Sequence, residues 1–103
     1  MWYTASLFFQ GQHLGEPDRD SIWEEQIVLV DADGESAAHQ AAEQIAKARE
    51  HEYVTGDANG KLRWVFVGVE RVCEVDGNRF ETGVELFSRF MSDREAASLL
   101  EKL

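Results

Sequence analysis

Residues 27–50, IVLVDADGESAAHQAAEQIAKARE, change their hydrophobic period midway, and that change decides the fold class. Up to Asp31 the pattern alternates: Trp23, Ile27 and Leu29 share one phase and Glu24, Gln26 and Val28 the other, which predicts a strand over 23–31. After Asp33-Gly34-Glu35, the residues Ala38, Ala41, Ala42 and Ile45 recur at helical spacing, which predicts a helix to about Glu50. Asp33 is the expected N-cap, with Glu35 in the first turn and Lys47 and Arg49 in the last, as the helix dipole favours. A buried stripe of alanine lets such a helix lie close against a sheet.

Upstream, Tyr3, Ala5, Leu7 and Phe9 form an apolar face, while Trp2, Thr4, Ser6 and Phe8 take the other, so a strand is expected over 2–9. Gly11 to Ser21, with Gly15, Pro17 and three acids, reads as a loop. Downstream, His51 to Thr55 is β-leaning, and Asn59-Gly60 favours the positive φ angles of a hairpin turn. A long strand follows from Leu62 to Val75; Trp64-Val65-Phe66-Val67 is apolar on both phases, as for a strand covered on both sides. Glu70 and Arg71 interrupt the alternation and predict a bulge over 68–71, and Asp76-Gly77-Asn78 makes a turn. Val84 to Met91 alternates again and reads as a further strand. Ser92-Asp93-Arg94-Glu95 is a capping-box pattern opening a short helix over 92–103, with Ala96, Leu99, Leu100 and Leu103 in its apolar stripe. The expected fold is α+β: an antiparallel sheet of four to five strands in the order β-β-α-β-β-β-α, one Ala-rich helix on one face and a short C-terminal helix.

At 103 residues and 44% hydrophobic content, the chain holds one core, and 1–103 reads as a single domain. The lone Cys73 forms no internal disulfide and reads as a small buried thiol. MWYTASLFFQ has no basic flank and no cleavage site, so a cytoplasmic location is expected. The net charge of −10 is unevenly spread: residues 1–46 hold nine acids against Arg19 alone. An acidic face repels nucleic acid and anionic membrane, which excludes both as expected partners and favours a protein with a basic surface.

The motif search is mostly negative. Asp31-Ala-Asp33-Gly34 and Asp57-Ala-Asn59-Gly60 resemble the start of a calcium loop, but the twelfth position is Ala42 or Gly68 where a glutamate is required. His13, His39 and His51 lack zinc-ligand spacing, so no metal and no cofactor is expected. Glu24 and Glu25 point to opposite faces of a strand and cannot flank one bond. One of the two is expected to face Arg89 or His51 across the sheet, and no catalytic residue is assigned. One helix covers only one side of a sheet, so the other must be covered by the C-terminal helix, a second copy or a partner.

The opening WYTASLFF, the stretches WEEQIVLVDADGESAAHQAAEQIAK and EHEYVTGDANGKLRWVFVGVERV, and the closing TGVELFSRFM together resemble the family known as domain of unknown function 4288, over roughly residues 1–91. The resemblance implies a small bacterial domain and brings no activity with it. Its aromatic and charged positions supply the candidate binding residues: Trp2, Trp23, Glu24, Glu25, His51, Tyr53, Trp64 and Arg89. The favoured expectation is a non-enzymatic protein-interaction module, by analogy an acidic inhibitor or immunity-like protein. The alternatives are a small-ligand or enzymatic site built from those Glu, His, Arg and Trp residues, and a structural homodimer.

Overall fold

The computed structural model describes residues 1–16, 20–54, 60–77 and 80–101. Strands β1 (Trp2–Leu14) and β2 (Ile22–Asp31) precede helix α1 (Glu35–Ala48); β3 (His51–Val54), β4 (Lys61–Glu74) and helix α2 (Asp93–Leu100) follow. The strands form one antiparallel sheet in the order β2-β1-β4-β3, and the fold is α+β. The Asn59-Gly60 turn expectation falls on a dipeptide whose asparagine lies outside the described residues.

Two corrections concern β1 and α1. β1 continues through Gly11 to Leu14, where the sequence reads as loop, because Gly11 sits under a bulky neighbour rather than in a turn. Helix α1 is capped by Gly34, not Asp33: the Ala38 N–H donates to the Gly34 carbonyl at 2.9 Å, so helical bonding starts one residue later than Asp33 requires.

The core lies between α1 and one face of the sheet. Leu7 and Phe9 of β1 are fully buried, with Tyr3, Ala5 and Val30 beside them and Ala38, Ala42 and Ala46 of α1 pressed on top. Phe9 meets Phe66 of β4 with ring centroids 5.9 Å apart. Truncating a side chain such as Leu7 to alanine costs about 2 to 5 kcal/mol in a core of this kind.

The β1–β4 ladder carries two register shifts: Ser6 pairs with Arg71 but Leu7 with Val69, and Phe8 pairs with Gly68 but Phe9 with Phe66. Glu70 and Val67 are the two extra residues, so the expected bulge is present, with a second one beside it.

Val84 to Met91 is not a fifth strand. The segment lies over the second face of the sheet, held by side chains instead of a ladder. Thr4 Oγ1 donates to the Leu86 carbonyl at 2.8 Å, Arg71 Nη1 donates to the Ser88 carbonyl at 2.8 Å, and the Arg71 guanidinium sits 5.1 Å over the Phe87 ring. Phe80 meets Trp2 edge-on at 5.5 Å.

The capping box of α2 is formed: Ser92 Oγ accepts from the Glu95 N–H at 3.2 Å, and Glu95 Oε1 accepts from the Ser92 N–H at 3.3 Å. The Ser92 backbone bond, then its hydroxyl, and then Arg89 hold the Glu95 carboxyl below its ordinary range. Among the described residues the helix packs against no other element, so of the three covers the sequence left open for the second face, α2 on its own sheet is not the one seen here. Among the described residues, no helix is long and apolar enough to cross a membrane.

Candidate functional site

The register places seven of the eight candidate residues in rows across the sheet. On the α1 face, one row runs Ile22, Gly11, Trp64, His51 from β2 to β3, and the next holds Glu24, Phe9 and Phe66. On the other face the rows are Trp23-Gln10-Val65, Glu25-Phe8-Gly68, Ile27-Ser6-Arg71, Leu29-Thr4-Cys73 and Asp31-Trp2. Glu24, His51 and Trp64 therefore share one face; Trp2, Trp23 and Glu25 share the other. Arg89 lies beyond both, in the C-terminal segment. Tyr53 gives its backbone to β3 opposite Leu62, and its side chain is outside the described residues.

The α1-face group sits where the helix ends. Arg49 closes α1, and beyond it the sheet carries a shallow depression of about 290 Å³ lined by Glu50, His51, Glu52, Arg63, Trp64 and Val65. Its polar groups are engaged with their neighbours. His51 Nδ1 lies 2.9 Å from the Arg49 carbonyl; a carbonyl only accepts, so this nitrogen carries the proton. Arg63 Nε and Nη2 both donate to Glu52 Oε1, at 2.8 and 2.7 Å. Glu50 Oε2 accepts from the Phe66 N–H at 3.0 Å, capping β4 where β3 has ended. Glu24 accepts from Gln26 at 2.8 Å, and Gln26 from Arg49 at 2.7 Å. This chain of bonds ties the end of α1 to the edge of the sheet.

Across the sheet the register sets Glu24 opposite Phe9 and Glu25 opposite Phe8, with β1 and β4 between β2 and the strand that carries His51. Glu25 instead accepts a hydrogen bond from Ser6 Oγ on the second face, because the register sets it diagonal to Ser6. Cys73, expected to be buried, is half-buried on that face, and its thiol points to the Glu74 carbonyl at 3.8 Å. Among the described residues, no three His, Cys, Asp or Glu side chains converge as a metal ion would require.

Sequence reasoning missed a different surface. In β2 the phase that packs on the core is Val28 and Val30, while the more apolar phase faces outward: Trp23 and Ile27 are 52% exposed and Leu29 45%. The side chains that hold the overlying segment, Thr4 and Arg71, belong to β1 and β4 and not to β2. These residues crest an edge strand whose acids Glu24, Glu25 and Asp31 are all exposed. A second missed feature is a groove of about 400 Å³ in the C-terminal segment, lined by Arg89, Met91, Arg94, Glu95, Ser98 and Leu99. The alternation in β2 was the available signal for the first, but alternation does not state which phase is inward.

No curated protein and no solved structure matches the chain. The family model described as "Domain of unknown function (DUF4288)" matches residues 2–88, so the chain belongs to that family.

Proposed function

We propose that this chain is a non-enzymatic protein-interaction module, acting in the cytoplasm, whose working surface is the edge strand β2. The observation that carries the reading is the outward crest of Trp23, Ile27 and Leu29, each about half exposed on a strand with one unpaired edge. Long apolar edge strands invite pairing with another chain, and natural sheets otherwise cover or charge them. Burying the exposed half of three such side chains stabilises a complex by roughly 1 kcal/mol each, and added main-chain bonds fix the register.

The exposed carboxylates of Glu24, Glu25 and Asp31 select the partner's chemistry: an extended segment alternating apolar and basic residues. The candidate residues are divided between two faces and a distant segment, which weighs against a single small-ligand cleft built from all of them.

The test is an NMR titration of the full chain with a synthetic peptide alternating valine and arginine, and with its valine–glutamate counterpart. Amide shifts confined to β2 and its β1 neighbours, present only with the basic peptide and weakened by salt, are expected. Shifts that avoid β2, or that do not distinguish the two peptides, overturn the proposal.

A further inference from the structure

We infer that the occupant of the β2 crest is the C-terminal segment of a second copy of this chain, exchanged reciprocally so that each copy's segment covers the other's strand. The inference rests on β2 being the binding surface, takes its apolar crest where the peptide reading takes its open edge, and names the partner.

Both halves of such a contact are on the same molecule, and among the described residues neither is covered by another element. Phe80 to Ser88 is already seated on the second face, anchored at Trp2, Thr4 and Arg71. Immediately beyond, the segment leaves the sheet: Phe90 is 104% exposed, and α2 touches no other element. The radius of gyration is 16.7 Å, against about 13 Å for a compact chain of this length.

The surfaces are complementary in shape and charge. The crest of β2 is an apolar ridge of Trp23, Ile27 and Leu29, with two acids on the same face: Glu25, which takes the Ser6 hydroxyl, and Asp31, which takes the N-terminal ammonium at 3.1 Å. The groove beside α2 has Met91 and Leu99 among its apolar lining, with Arg89 and Arg94 alongside and the Glu95 carboxylate, engaged by Ser92, at its edge. Apolar ridge meets apolar groove, and Arg89 and Arg94 carry the charge opposite to Glu25 and Asp31, which fixes orientation.

Reach favours exchange over folding back. Four residues, Arg89 to Ser92, separate the Ser88 anchor from α2, and four residues span at most about 14 Å. Returning from β4 across β1 to β2 takes about 10 Å, two strand spacings, leaving little chain to reverse the helix. A second copy has no such restraint, and a twofold arrangement satisfies both ridges and both grooves at once.

The test is sedimentation equilibrium of the full chain across micromolar to millimolar concentration, with two exposed-surface double variants checked for native circular dichroism. Ile27→Glu with Leu29→Glu removes the ridge; Phe90→Ser with Leu99→Ser removes the apolar part of the C-terminal segment. The wild type is expected to double in mass. Each variant alone is expected to stay monomeric, and an equimolar mixture to regain a heterodimer through the one intact ridge–groove contact. A wild type that dimerises while the mixture does not regain mass overturns the exchange, since another surface then makes the dimer. So does a monomeric wild type whose α2 amides are protected from hydrogen exchange, which places the helix on its own sheet. A monomeric wild type that still binds the valine–arginine peptide along β2 removes the second copy as occupant and leaves the β2 surface standing; one that binds neither removes both.

Discussion

Replacing Gly11 by alanine tests the packing that holds Trp64 beside His51. Gly11 lies in the interior of β1 with an extended backbone that alanine also adopts. On backbone grounds alone Gly11→Ala should therefore stabilise by about 0.4 to 1 kcal/mol, by restricting the unfolded chain. The site opposes this. A Cβ there would stand 2.7 Å from Ile22 Cγ2, 3.1 Å from Trp64 Cη2 and 3.2 Å from the Ile22 carbonyl oxygen. The Ile22 methyl can turn aside, since that side chain is exposed, but the carbonyl belongs to the β1–β2 ladder and the indole is wedged across the row. Overpacking of this kind costs about 1 to 3 kcal/mol. The difference is a net loss of about 1 kcal/mol, or a fall of about 4 to 8 °C in Tm for a domain of this size. Urea unfolding followed by tryptophan fluorescence measures it, and the native emission should also shift as the indole moves. Adding Ile22→Ala removes the shortest contact and should recover part of the loss. A Gly11→Ala variant as stable as the wild type or more so, with unchanged emission, would refute the close approach of Trp64 over β1.

Two further outcomes are expected. Ala42→Leu inserts a branched side chain where a fully buried methyl now lets α1 rest on the sheet, and should destabilise by about 1 to 3 kcal/mol in chemical denaturation, whereas the same change at exposed Ala37 should be near neutral. At α2, the Glu95 carboxyl titrates below its unfolded value, so its share of the capping box is present above the ordinary carboxylate range and lost as pH falls through the lowered folded pKa. The Ser92 amide resonance should follow that late titration, and Ser92→Ala, which keeps the backbone N–H and removes only the hydroxyl, should move Glu95 part of the way back toward the ordinary range and reduce the helicity of residues 93–100.

The core half of the fold was legible because β1 and α1 each carry one unambiguous period. Tyr3, Ala5, Leu7 and Phe9 are the buried phase, and the alanine stripe is the contact face of the helix. In β2 both phases are apolar, and the outcome is set by neighbours that local pattern does not contain. Tyr3 pairs with Val30 and Ala5 with Val28, and the thin space beneath an alanine helix suits valine better than tryptophan. Val84 to Met91 misled for a related reason. Alternation reports an extended chain with two unlike sides, which a strand and a segment clamped across a sheet face have in common. The clamps come from Thr4 and Arg71, far away in sequence. Gly11 read as a breaker because a glycine that makes room for an indole two strands of sequence away looks locally like one that starts a turn.

The paired bulges of β4 give that strand a grammar of parity. Each extra residue, Val67 and Glu70, shifts the pairing with β1 by one, and together they restore the frame. Leu62, Trp64 and Phe66 before them, and Val72 after them, consequently face the same helix although a half-frame lies between. Loss of Glu70 alone would leave Val69 opposite Leu7, Arg71 opposite Ser6 and Val72 opposite Ala5 in an unbroken ladder, so Val72 would still face α1 and Arg71 would keep its grip on the Ser88 carbonyl. Loss of both extra residues would leave every side chain on its own side and straighten the strand. Length variation within this family should therefore be admitted here one residue at a time, at the expense of the strand's bend and not of its facing.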